Sequence, residues 1–155
     1  MTAETNELTV TRLIQAPPET VYRVFTTRTT EFFTPPPWKT PVAELDLRPG
    51  GKFRTVMEGP AGERMDSTGV FLEVVPGAKL VFTDGFGPGW VPQTAFMVAI
   101  LTFEAEAGGT RYTATVRHWT AEACKQHEEM GFHQGWSIVA GQLAALAEAE
   151  TAAHV

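Results

Sequence analysis

EEMGFHQGWSIVAGQLAALAEAE, residues 128–150, is the stretch whose reading decides the fold. Phe132, Trp136, Val139, Leu143 and Leu146 recur at spacings of four, three, four and three, the apolar face of a helix lying on a core. With its polar lead-in, the pattern predicts one long amphipathic helix from Thr120 to about Glu150. About a third of a turn away lie His127, Glu128, Gly131, Gly135, Ile138 and Gln142, where two glycines stand one turn apart. Each glycine costs a helix about 1 kcal/mol relative to alanine. Either a close approach of the sheet or room for a ligand would account for the pair.

The rest of the chain reads as sheet built to hold this helix. Its 155 residues, 43% hydrophobic and 19% charged, suit one globular domain with its own core, the ends at about 1–7 and 151–155 being loose. A net charge of −6, with only 12 Lys and Arg, argues against nucleic acid and against an anionic membrane surface as partners. The single cysteine, Cys124, excludes an internal disulfide and suits a reducing cytosol. No stretch reads as a secretory signal or as a membrane span, so a cytoplasmic protein is expected.

Read in order, Leu8 to Ile14 alternates as a strand, and Pro17 and Pro18 then open a helix that places Val21, Val24 and Phe25 on one face. A further short turn is expected over Thr29 to Phe33, followed by an extended segment around Trp38 in TPPPWKTP, residues 34–41. Strands are expected over Val42 to Leu47, Lys52 to Glu58, Arg64 to Val74 and Leu80 to Thr83, with a type II turn at Arg48 to Gly51. The loop DGFGPGWVP, 84–92, is too rich in Gly and Pro for regular structure. Two longer strands, Thr94 to Glu106 and Thr110 to Trp119, are joined by a Gly108-Gly109 turn.

Alternation assigns the faces. Tyr112, Ala114, Val116 and His118 point toward the helix, opposite Arg111, Thr113, Thr115 and Arg117. Phe53, Phe71, Leu80, Phe82, Met97, Leu101 and Phe103 point inward by the same rule. Phe96, Val98 and Ile100 then make the second face of their strand apolar too, which predicts a homodimer contact or an overlying loop.

The architecture is α+β: a strand, one or two short helices, about six more antiparallel strands and a long helix across a curved sheet. The chain resembles the START-like, helix-grip (SRPBCC, Bet v-like) superfamily, and within it the branch similar to the C-terminal domain of the activator of the heat-shock protein 90 ATPase. The resemblance is carried by APPETVYRVFT (16–26), DLRPGGKFR (46–54), GVFLEVVPGAKLVFTD (69–84), TFEAEAGGTRYTATV (102–116) and EEMGFHQGW (128–136), in that order. It departs from the commonest pattern at TPPPWKTP, where many relatives show a tryptophan pair. The resemblance implies a deep cavity between sheet and helix, used across the superfamily for hydrophobic ligands and in some branches for cyclase or aromatase chemistry.

No serine sits in a nucleophile elbow, and neither a Walker loop nor a dinucleotide fingerprint is present, so no cofactor is expected. Cys124, His127 and Glu128, with His118 or His133, have weak metal-ligand spacing, and no metal is expected. Three functions follow. The first is binding of a small hydrophobic or aromatic molecule by Phe33, Trp38, Phe53, Phe71, Phe82, Trp90, Met97 (or Phe96), Tyr112, His118, Gly131 and Gly135. The second is an enzyme of cyclase or aromatase type that moves protons with His118, Tyr112 and Glu128. The third, implied by the resemblance alone, is a co-chaperone-like interaction module.

Overall fold

A computed structural model describes residues 6–153. Strand β1 (Glu7–Ile14) leads into helix α1 (Pro18–Thr27), whose first turn accepts Pro18 because an N–H at that position would have no intrahelical partner and proline lacks one. Val21, Tyr22, Val24 and Phe25 are its buried face. A 3-10 turn, Thr29–Glu31, and the proline segment follow, and then β2 (Lys39–Leu45), β3 (Lys52–Glu58), β4 (Arg64–Val75) and β5 (Lys79–Thr83). The type II turn at Arg48 to Gly51 is in place, with Gly50 at φ +81°. Within the 84–92 loop, expected to be irregular, β6 (Phe86–Gly87) pairs with β7 (Val91–Pro92). The chain ends in β8 (Val98–Glu106), β9 (Gly109–Arg117), α2 (Ala121–Glu129) and α3 (Phe132–Ala153).

All neighbours in the main sheet are antiparallel, in the order β1-β9-β8-β5-β4-β3-β2. The face carrying Tyr112, Ala114, Val116 and His118 is buried, as are Phe53, Phe71, Leu80, Phe82, Leu101 and Phe103, so the alternation places the core where it was read. Helix α3 crosses this face and packs on β1 and α1. This is the helix-grip fold.

Three readings are corrected. The C-terminal helix is two helices. Thr120 caps α2, its Oγ1 accepting from Ala123 N at 3.0 Å, and α2 closes at Met130, whose N–H donates to Gln126 O. Gly131 follows at φ +93°, a conformation open to glycine that ends a helix. The β8–β9 turn is Ala107-Gly108, both at positive φ, and Gly109 belongs to the strand. A Cβ on Gly109 would stand 2.4 Å from Ile14 O, so glycine serves close backbone approach there. Finally, β8 begins at Val98 and not at Thr94, because the N–H groups of Phe96 and Met97 both donate to Asp84 Oδ1 (2.8 and 3.2 Å) and not to a strand ladder.

The loose ends expected at 1–7 and 151–155 fall mainly outside the described residues. Glu7 is already strand and Thr151 to Ala153 are still helix. Among the described residues no helix is long and apolar enough to cross a membrane.

Candidate functional site

Between the sheet and the start of α3 lies a cavity of about 450 Å³. A continuous aromatic series forms its floor. Phe25 meets Phe33 edge-on (centroids 6.3 Å), Phe33 meets Phe53 (5.8 Å), and Phe53 meets Phe82 (4.7 Å). Strands β8 and β9 add Leu101 and Tyr112. The roof is Phe132, Gly135, Trp136 and Val139 of α3, with Met130 and Gly131 from the break between the two helices.

Gly135 carries the most information about this roof. A Cβ there would meet only Pro35 Cγ, at 4.0 Å, so the sheet does not press against the glycine. Of the two explanations for the paired glycines, Gly135 fits room and Gly131 fits neither, since it serves the break. Pro35 is brought overhead by Gln142, whose Nε2 donates to the carbonyls of Phe32 and Thr34, both at 2.9 Å.

The wall is mainly apolar, with polar side chains from Thr34, Thr55, Ser67, Thr68, Thr83, Asp84, Tyr112 and His127, and several of these are already engaged. Thr83 Oγ1 donates to Met97 O at 2.8 Å and accepts from Gly85 N. Asp84 Oδ1 holds the Phe96 and Met97 amides. Two groups stand out: the Tyr112 hydroxyl and the His127 ring, both on residues buried to better than nine-tenths. Burial pushes the Tyr112 phenol further above its ordinary range, so it remains a neutral donor. His127 Nδ1 lies 2.8 Å from Nε2 of His118, and burial together with that neighbour pushes the His127 pKa down to about 4.

The structure brings together Phe33, Phe53, Phe82, Met97, Tyr112, Gly131 and Gly135 at the cavity. His118 stands one residue back, reaching the wall through His127. Phe71 is fully buried behind Phe53, stacked on it at 5.1 Å. Trp38 lies over the β3–β4 turn, its ring 2.9 Å from where a Gly59 Cβ would stand. Trp90 covers Gly50 on the outside of the molecule and is 52% exposed. Glu128 is also outside, 3.5 Å from His133 Nε2, so His118, Tyr112 and Glu128 do not converge.

Sequence reasoning left His127, Phe132 and Trp136 out of the wall, and it placed Phe96 on the outer face while keeping it in the wall only as an alternative to Met97. Both Phe96 and Met97 reach the cavity because strict alternation starts only at Val98. Among the described residues no group of three or more His, Cys, Asp or Glu is placed to hold a metal ion. The Cys124 thiol is pushed up by burial and by the Glu128 and Glu7 carboxylates, the opposite of an activated thiolate.

The family described as Activator of Hsp90 ATPase homolog 1-like protein matches residues 15–148, which is most of the chain. The chain belongs to this family. Among solved structures, a protein of Nitrosomonas europaea is similar to this chain at 37% identity, covering 98% of this chain and 99% of that one, with a TM-score of 0.91. A Mycobacterium smegmatis protein is 30% identical over 92% of this chain and 90% of its own, with a TM-score of 0.77. One from Chromobacterium violaceum is 26% identical over 92% and 97%, with a TM-score of 0.75. None of the curated proteins matches. The family match and these structures agree on the helix-grip fold.

Proposed function

We propose that this chain takes up a small apolar or aromatic molecule in the cavity between the sheet and the first turns of α3. The observation that carries the reading is the open space opposite Gly135, where a core helix would press side chains onto the sheet. The cavity's volume lies within the ~300–1,000 Å³ of small-molecule sites, and its aromatic floor offers area and stacking to a flat ligand. Binding is favoured over catalysis because Glu128, the carboxylate a proton-transfer set would use, lies outside.

The test fills the space. In Gly135→Leu the leucine enters the cavity from the roof. Native mass spectrometry of protein taken from cells is expected to show a bound small molecule in the parent chain and its loss in the variant, with circular dichroism unchanged. Equal uptake by a folded Gly135→Leu would remove the cavity from consideration.

A further inference from the structure

The pair His118 and His127 has a defined proton arrangement. Nδ1 of His118 lies 3.1 Å from the carbonyl oxygen of Asn6. A carbonyl only accepts, so His118 holds a proton on Nδ1 and, as a neutral imidazole, offers a lone pair at Nε2. The 2.8 Å contact from that Nε2 to Nδ1 of His127 therefore has His127 Nδ1–H as its donor. A neutral imidazole carries one N–H, so Nε2 of His127 is left as an acceptor. It has no hydrogen-bond partner among the described residues, and the ring, 8% exposed, stands in the cavity wall between Phe96 (4.9 Å) and Phe132 (5.2 Å). Nε2 is not one of the fully enclosed unpaired atoms among the described residues, so solvent in the open cavity can donate to it, and a ligand that displaces that solvent keeps the hydrogen bond only by donating in its place.

The other charges limit what that donor is. No Lys or Arg lines the cavity among the described residues, and its one acid is Asp84. A carboxylate ligand would meet no cation there, and His127 stays uncharged at neutral pH. A neutral hydroxyl matches the site.

We propose that the cavity selects apolar or aromatic molecules bearing a neutral hydroxyl, above all a phenol, recognised by Nε2 of His127. Asn6 and His118 act as positioning residues that fix the tautomer presenting this atom as an acceptor. The proposal rests on the reading that the cavity takes up a small molecule.

Three probes of one shape test it, 2-naphthol, naphthalene and 2-naphthoate, titrated at pH 7 while the fluorescence of Trp136 in the wall is followed. The expected order is 2-naphthol tighter than naphthalene by about twofold to tenfold, the span of one net hydrogen bond, with 2-naphthoate weakest. In His127→Phe, which keeps a ring and removes the acceptor, naphthalene still binds and the advantage of 2-naphthol disappears. Equal binding of 2-naphthol and naphthalene by the parent chain, tighter binding of 2-naphthoate, or an advantage that survives in His127→Phe overturns the proposal and leaves the cavity reading standing. Failure of all three probes to bind overturns both. A second readout does not depend on the variant folding. Imidazole 15N spectra of the parent chain are expected to show His127 protonated at Nδ1 and bare at Nε2, a preference lost in His118→Phe. A proton on Nε2 in the ligand-free protein overturns the assignment.

Discussion

From Ala140 onward α3 buries Ala140, Leu143, Ala144 and Ala147 among core residues and lies on β1 and α1, whereas over its first turns the same helix presents Gly135, Trp136 and Val139 to a cavity. Small side chains mean opposite things in the two halves. The alanines are fully enclosed, so they let the helix come close. Gly135 is small with almost nothing opposite it, so it leaves a gap. The far half is also fastened by polar contacts: Gln15 N donates to Glu148 Oε2 at 2.9 Å, and Glu150 pairs with Arg23 and Arg28. One half anchors and the other roofs. A helix held firmly at one end leaves the other free to be shaped by what it covers.

The comparison breaks most directly at Leu143. It is fully buried in the anchoring half, and Leu143→Ala is expected to lower unfolding stability by about 2–5 kcal/mol, the range for a leucine cut from a packed core. Val139→Ala, on the cavity side, is expected to lose under about 1 kcal/mol, because the methyls removed already border open space. Chemical denaturation of both variants checks this, and equal losses would mean that the two halves are packed alike.

A second prediction uses acid. The folded-state pKa of His127, about 4, lies below the ordinary histidine value of roughly 6.5, so between these limits the unfolded chain binds the proton and the folded chain does not. Stability is then full above about pH 6.5, falls as pH drops toward 4, and levels off below it, by an amount on the order of 2 kcal/mol. The exposed pairs Arg54–Asp66 and Arg28–Glu31 hold Asp66 and Glu31 below their ordinary range, so their losses come at lower pH. Urea midpoints across pH 4–7 should slope in the parent chain and flatten in His127→Phe. A flat parent profile would place the ring in a wetter setting than the cavity wall.

Much of this was legible in the residues. Period-two alternation in 110–118 and 98–103 named the core face, and the turn chemistry of 48–51 located a hairpin, because both depend on local geometry. The cavity's aromatic floor followed from the same alternation. What alternation does not encode is where a strand stops being a strand, and so Phe96 was put on the outer face, with the wall only an alternative to Met97, although the Asp84 carboxylate holds its backbone off the ladder. Nor does apolar period reveal how far away the opposing surface lies, so Trp38, Phe71 and Trp90 were placed in a wall that they support or miss. The break at Gly131 did carry a signal: a glycine one turn after His127, the pairing of a basic last turn with a following glycine that marks a helix stop.

The glycine pair separates the two causes in one experiment. Gly131 sits at φ +93°, where a side chain is strained whatever the space around it, so Gly131→Ala is expected to lower stability by about 1–2 kcal/mol. Gly135 lies inside α3 with ordinary helical geometry and only Pro35 Cγ near the added methyl, at 4.0 Å. Gly135→Ala is therefore expected to raise stability by up to about 1 kcal/mol through helix propensity alone. Thermal unfolding of the two variants should move in opposite directions. If Gly135→Ala were destabilising instead, the space above the sheet would be closed by packing, and the roof would be no different from the anchor.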